Sequence, residues 1–243
     1  MNLSKPRTFG ATLASRVGLG CLAAVVAAMP ALASDTPAGA PGHAGASASA
    51  GARVRADFGR LAPSADVRRL ADWILAVDDH RRLPFLIVDK KQATAYAFHA
   101  DGILRGAAPI LLGLAIGDDS VPGIGQRSLS AIRPEERTTP AGRFVAALDR
   151  NLHGKEILWV DYDAAISLHR VVTGVPKERR AERLASPTPL DNRVSYGCIN
   201  VPKAFFDGVV VPAFKGTNGI VYVLPETRSA HAVFGSYDVD GQR

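Results

Sequence analysis

The feature that most constrains the fold is the division of residues 85–224 into short apolar runs. Runs of this length, bounded by turn-forming residues, are typical of β-strands and too short for ordinary helices. Turns are indicated, for example, by Ala-Asp-Gly at 100–102 and Gly-Asp-Asp at 117–119. The runs lie at 85–88, 94–98, 103–104, 110–114, 144–148, 157–160, 166–168 and 220–224. The pattern predicts a domain dominated by strands.

One longer helix is predicted before the first strand. The segment Pro63-Ser64-Ala65-Asp66 is typical of a helix start, with Ser64 as the N-cap and Asp66 near the positive end of the helix dipole. Apolar residues then recur at helical spacing until about residue 80. Two short helices are predicted at 177–185 and 203–210. The expected fold class is therefore mainly β (α+β).

Residues 1–33 have the pattern of a secretory signal peptide. Lys5 and Arg7 precede an apolar run at 17–28, and Ala31-Leu32-Ala33 forms a small-x-small cleavage site. The alternative is an uncleaved anchor, but the run is shorter than the ~20 residues that span a bilayer. We therefore expect export, with membrane contact only transiently through the signal peptide.

Residues 34–60 are predicted to be a flexible linker. Ala, Gly, Ser and Pro fill 16 of the 19 positions from 34 to 52, too little apolar surface to offset the entropy of ordering. A catalytic domain is predicted at 61–228, followed by a polar C-terminal tail at 229–243. The polarity of the segment from residue 225 onward is typical of a disordered tail.

The charge balance argues against a nucleic-acid partner. The chain carries a net charge of +6, but the predicted signal contains three basic residues and no acidic one, which leaves +3. No lysine or arginine tract is interleaved with aromatic residues. The composition, with 47% hydrophobic and 21% charged residues, is that of an ordinary globular protein.

Cys198 is the only cysteine that remains once the predicted signal, with Cys21, is removed. A lone thiol in an exported protein is a buried core residue, an intermolecular link or a reactive nucleophile. It lies in the segment Arg193-Val-Ser-Tyr-Gly-Cys-Ile-Asn-Val201. Gly197 permits a tight turn there, and the short polar side chains of Ser195 and Asn200 can hold it.

His169 is the histidine best placed to act on this thiol. It ends the run Ala165-Ile-Ser-Leu168, and an imidazole within hydrogen-bond reach can convert a thiol into the nucleophilic thiolate. His153, in the turn-like segment Asn151-Leu-His-Gly-Lys155, is the alternative. The remaining histidines are scattered without metal-ligand spacing, so no metal and no cofactor is predicted.

Four segments together resemble the L,D-transpeptidase catalytic domain, the YkuD family. In order they are Phe-Leu-Ile-Val-Asp at 85–89, Thr-Pro-Ala-Gly-Arg-Phe at 139–144, Leu-His at 168–169 and Ser-Tyr-Gly-Cys-Ile-Asn at 195–200. Each segment alone is weak, whereas their order and combination over residues 84–224 are fairly specific. The resemblance implies a YkuD-like β-sandwich with short helices near the cysteine, acting in the periplasm or cell wall.

The resemblance also implies a chemistry and a set of site residues. Cys198 would attack a peptidoglycan stem peptide, with His169 as the base. The carbonyl of Arg170 would orient the imidazole, and the N–H groups of Gly197 and Cys198 would form the oxyanion hole. The predicted substrate-binding residues are Ser195, Tyr196, Asn200 and Arg193. The acyl group would pass to an amine of another stem peptide or of a wall-attached protein.

Two alternatives keep parts of this interpretation. With water as acceptor the same site would be a carboxypeptidase or hydrolase, and without a working thiol the chain would be a noncatalytic peptidoglycan-binding protein. The segment 170–194 is long and carries Lys177, Arg179, Arg180 and Arg183 on a predicted helix. It is either a lid that binds substrate carboxylates or a solvated helix face.

Overall fold

The computed structural model describes residues 54–241. The predicted signal peptide at 1–33 and most of the predicted linker lie outside the described residues. Within residues 54–241, no helix has the length and apolar character needed to cross a membrane.

The described residues form ten strands and five α-helices. The strands are β1 Phe85–Asp89, β2 Thr94–Phe98, β3 Leu104–Pro109, β4 Leu112–Gly113, β5 Gly142–Arg150, β6 Glu156–Asp161, β7 Ile166–Arg170, β8 Arg193–Ser195, β9 Ile199–Val201 and β10 Gly219–Val223. The helices are α1 Ala65–Ala76, α2 Arg180–Ala185, α3 Lys203–Phe205, α4 Val211–Phe214 and α5 Ala230–Phe234, with a π-helix at Phe206–Val210. Short 3-10 turns lie at Ile124–Gln126, Leu129–Ala131, Pro134–Glu136, Pro176–Glu178 and Pro189–Asn192.

Eight strands form one sheet in the order β3-β2-β1-β10-β5-β6-β7-β9, and β4 pairs separately with β8. The long strand β5 joins the two halves, because its first part pairs with β10 and its second part with β6. Side chains from both halves, such as Leu86 and Leu158, belong to one buried cluster. The fold is therefore α+β and is dominated by one large β-sheet, as predicted.

Strand β1 is buried on both faces, since successive side chains point in opposite directions. Leu86 and Val88 join the cluster between the sheet halves, whereas Phe85 and Ile87 join a second cluster under α1. Helix α1 begins where predicted, with the Ser64 hydroxyl accepting from the N–H of Val67. It buries its apolar face, including Leu70 and Ile74, in that second cluster.

Both chain ends of the described region are packed more extensively than expected. Ala56 and Phe58, within the predicted linker, are buried in the second cluster, so packing begins before residue 61. In the expected tail, Phe234 of α5 lies edge-on to Tyr222 with ring centroids 6.0 Å apart. The segment from residue 225 to 241 is therefore ordered, and its few apolar residues pack against the second cluster.

A buried ionic cluster, made of Lys90, Asp118, Arg193 and Glu226, ties distant segments together. The Lys90 ammonium donates to Asp118 Oδ1 at 2.8 Å and to the carbonyls of Gly117 and Thr139 at 2.5 and 3.0 Å. Arg193 pairs with Glu226. Burial raises the pKa of Asp118, but hydrogen bonds from Lys90 and Thr227 lower it by more. The net pKa of Asp118 is therefore well below its usual range.

Several predicted elements also have other bounds in the structure. Helix α1 ends at Ala76 and not near residue 80, β3 is longer than the predicted run at 103–104, and the helix predicted at 177–185 is divided into a 3-10 turn and α2. The predicted run at 110–114 contributes only the two residues of β4, because Leu111 instead bridges to Asn200. Strands β8 and β9 were not predicted, since three residues are too few for a pattern. The helix predicted to end at residue 210 continues through the π-helix into α4. The wider π-helical turn comes directly before Pro212 of α4, a residue without a backbone N–H.

Candidate active site

Cys198 lies in the loop between β8 and β9 and is half-buried. The loop depends on Gly197, whose φ of +130° is in a region that favours glycine. A Cβ there would lie 2.8 Å from the Thr138 carbonyl oxygen and 2.7 Å from Ile166 Cδ1. Any side chain at residue 197 would therefore displace the backbone that carries the thiol.

Side chains hold the peptide groups on both sides of Cys198. The Thr139 hydroxyl donates to the carbonyl of Gly197 at 2.7 Å and accepts from the N–H of Gly113 at 2.9 Å. The Ser195 hydroxyl donates to the carbonyl of Cys198 at 2.7 Å and accepts from the N–H of Gly197 at 3.1 Å. The backbone on both sides of Cys198 is thus held in place by side-chain hydrogen bonds.

His169 and Cys198 come together because β7 and β9 are parallel neighbours. In their register His169 lies beside Asn200, and Leu168 lies beside Ile199. The Nδ1 atom of His169 is 2.8 Å from the carbonyl oxygen of Arg170, the contact that the family resemblance implies. A carbonyl can only accept, so Nδ1 carries the proton and Nε2 is left to take the proton of the thiol.

The thiol and the imidazole shift each other's ionisation toward the charged pair. Burial lowers the pKa of His169, but hydrogen bonding and charge interaction with Cys198 raise it more, so the net direction is upward. Burial raises the pKa of Cys198, but the interaction with His169, helped by Ser167, lowers it below its usual value. Both directions favour a thiolate beside an imidazolium.

Ser167 also contacts the thiol. Its hydroxyl lies 3.7 Å from Cys198 Sγ, and the carbonyl oxygen of Ala165 is also 3.7 Å from that sulfur. Ser167 and His169 share one face of β7, because side chains two apart point the same way. That spacing is visible in the sequence, so Ser167 could have been found there.

The other predicted site residues differ in how they are placed relative to Cys198. Ser195 and Asn200 are buried, and both donate to the carbonyl of Cys198, so they hold the turn. Tyr196 lines a cavity together with Cys198, and the guanidinium carbon of Arg137 lies 4.0 Å from its ring centroid. Arg193 belongs to the buried ionic cluster with Glu226. Its predicted contact with substrate stays a prediction.

Arg170 has two separate roles in the structure. Its carbonyl meets the imidazole, as described. Its guanidinium turns away to pair with Asp207 and Glu156, and its Cζ lies 4.3 Å from the ring centroid of Phe206. The side chain thus connects β7 with β6 and with the π-helix that follows Cys198.

Cys198 lines two cavities. The smaller, about 180 Å³, is formed mainly by apolar side chains of 120–138 and 164–166, with Arg127 and Tyr196 at its wall. The larger, about 500 Å³, contains His169, Ser167, Lys155 and Glu156. Cys198 therefore faces both cavities, and of the two only the larger is also lined by His169.

The segment 170–194 places its arginines differently from one another. Arg179 is 68% exposed and pairs with Glu182. Arg183 donates to the carbonyls of Glu178 and Asp191 within the segment. Neither lines the cavities beside Cys198, whereas Arg180 donates to Asn200 Oδ1 at 2.7 Å.

Comparison with models of protein families gives no match, and comparison with curated proteins gives none either. Among solved structures, the chain is similar to the helical cell shape determining protein Pgp2 from Campylobacter jejuni, at 15% identity and a TM-score of 0.37. This match covers 60% of the chain and 49% of Pgp2, so the chain spans about half the length of that structure.

Two further structures have similar values. The catalytic domain of an E. faecium L,D-transpeptidase matches at 15% identity and a TM-score of 0.35, over 58% of this chain and 96% of that chain. An L,D-transpeptidase from Xylanimonas cellulosilytica matches at 13% and 0.36, over 58% and 60%. Likeness at this level carries no argument about function.

Proposed function

We propose that this protein is a cysteine-dependent L,D-transpeptidase that acts on peptidoglycan stem peptides, as the sequence resemblance implies. The observation that carries the proposal is the Cys198–His169 pair, in which the thiol pKa is lowered and the imidazole is oriented by the Arg170 carbonyl. We also propose export by the signal at 1–33, a catalytic domain that contains residues 61–228 together with the packed residues on either side of them, and action in the periplasm or cell wall.

The proposed reaction begins when Cys198 Sγ attacks the carbonyl carbon at the L-centre of diaminopimelate, while His169 Nε2 holds the thiol proton. The negative charge on the tetrahedral oxygen needs backbone donors, each contributing roughly 3 kcal/mol in the transition state. The N–H of Gly197 already donates to Ser195 Oγ, so the N–H of Cys198 is the stronger candidate. The C–N bond then breaks, His169 protonates the leaving D-alanine amine, and a thioester remains.

The two cavities suggest where donor and acceptor bind. His169 must protonate the leaving amine and later deprotonate the incoming one, so both amines occupy the side of the thiol that contains the imidazole. That side is the larger cavity, which is lined by His169 together with the charged side chains of Lys155 and Glu156. The acyl part of the donor would then lie in the smaller cavity, near Arg127.

Product analysis with a disaccharide tetrapeptide tests the proposal. When a second stem peptide supplies an amine, we expect a cross-linked dimer together with free D-alanine, and neither product from the Cys198→Ala variant. Equal amounts of tripeptide with and without the amine would instead make the protein a carboxypeptidase. No release of alanine, together with an unreactive thiol, would make it a peptidoglycan-binding protein.

A further inference from the structure

The segment between β7 and β8 brings an arginine close behind the nucleophile. The guanidinium of Arg180, on α2, donates from Nη1 to Asn200 Oδ1 at 2.7 Å and from Nε to Glu178 Oε2 at 2.7 Å. Its side chain is only 13% exposed. Burying a guanidinium is costly unless it is paired, so the two bonds fix it in one place.

Asn200 passes this constraint to the cysteine. With its oxygen accepting from Arg180, the amide turns its Nδ2 toward the carbonyl of Cys198, which it meets at 3.2 Å. Asn200 is fully buried, so its amide has no water to compete for these contacts. The bonds therefore run without interruption from Glu178 through Arg180 and Asn200 to the backbone of the nucleophile.

The charge of Arg180 also acts on the imidazole. It lowers the pKa of His169, opposing the upward effects of the Cys198 thiolate and the Arg170 carbonyl. Two further charged side chains, Lys155 and Glu156, line the same cavity. The guanidinium of Arg170 pairs with Asp207 and Glu156.

We propose that Arg180 is a positioning residue for the Cys198–His169 pair, orienting the cysteine backbone through Asn200 and placing a fixed positive charge behind the pair. This inference rests on the thiol chemistry of the proposed function. It assigns one defined role to the long segment 170–194, namely to deliver this guanidinium, without requiring the segment to bind substrate.

The test is the rate of Cys198 alkylation by iodoacetamide between pH 5 and 10, followed by mass, in the wild type and three variants. A nearby positive charge makes both protons of a coupled thiol–imidazole pair easier to lose. Arg180→Met should therefore raise the pH midpoint of alkylation by about half a unit. Arg180→Lys keeps the positive charge, so its alkylation midpoint should equal that of the wild type. Its turnover of the tetrapeptide should still be roughly tenfold below that of the wild type, because lysine orients Asn200 less well.

Arg179→Met is the matched control, because the guanidinium of Arg179 is exposed and forms its ion pair with Glu182. It should leave the midpoint unchanged. A folded Arg180→Met protein with the wild-type midpoint, or an equal shift in Arg179→Met, would overturn the inference. If Arg180→Met does not fold, a shifted midpoint in the charge-conserving lysine variant would overturn it as well. An ordinary thiol midpoint in the wild type would instead count against the proposed function.

Discussion

Replacing His169 with alanine is expected to reduce turnover of a tetrapeptide donor by about 10²–10⁴-fold, the usual contribution of a positioned acid–base group. It should also raise the pH midpoint of Cys198 alkylation. Burial by itself raises the thiol pKa, and the interaction with His169 is the largest effect that lowers it. Without the imidazole, the largest effect that offsets burial is lost, so less thiolate forms at neutral pH.

His153→Ala is the control for this prediction, because His153 is the alternative base in the sequence. In the structure it is exposed in the turn between β5 and β6, where its N–H donates to Asn151 Oδ1. It does not line either cavity beside Cys198. A normal rate and midpoint are expected for this variant. If His153→Ala were inactive and His169→Ala normal, the assignment of the base would be wrong.

Replacing Lys90 with methionine is expected to lower the free energy of unfolding by about 3–5 kcal/mol, the usual cost of removing one partner from a buried ionic cluster. The Lys90 side chain is 0% exposed and its ammonium meets Asp118 and two carbonyls. Methionine fills similar space but leaves Asp118 and Glu226 less compensated. The urea midpoint should fall by at least about 1 M.

The next residue supplies the control, since Lys91 is 49% exposed and lies 3.7 Å from Asp66. Exposed ion pairs contribute little, so Lys91→Met should change the free energy of unfolding by less than about 1 kcal/mol. Equal urea midpoints for Lys90→Met and the wild type would show that the ionic cluster does not stabilise the fold.

Local patterns predicted much of the fold. Ser64 was identified as the N-cap of α1, and β2 was predicted with its observed bounds, because side-chain alternation and turn residues act over a few positions. Sheet order could not be predicted in this way. The parallel pairing of β1 with β10 joins strands that are far apart in the chain, and no local pattern encodes it.

The same limit applies to the site. The proximity of Cys198, His169 and the Arg170 carbonyl could be predicted from the resemblance, and their catalytic roles stay predictions. Thr139 could not, because its hydroxyl meets the carbonyl of Gly197, 58 positions away. The proposed role of Arg180 likewise depends on how the segment 170–194 folds against Asn200. The sequence does not distinguish Arg180 from the nearby Arg179 and Arg183.

The most direct test of the account is intact mass after incubation of the protein, and of its Cys198→Ala variant, with a disaccharide tetrapeptide. We predict an adduct equal to the donor minus alanine on the wild type and none on the variant, because the thioester requires the sulfur of Cys198. The absence of an adduct on the wild type under conditions where the donor is consumed, or the same adduct on the variant, would contradict it.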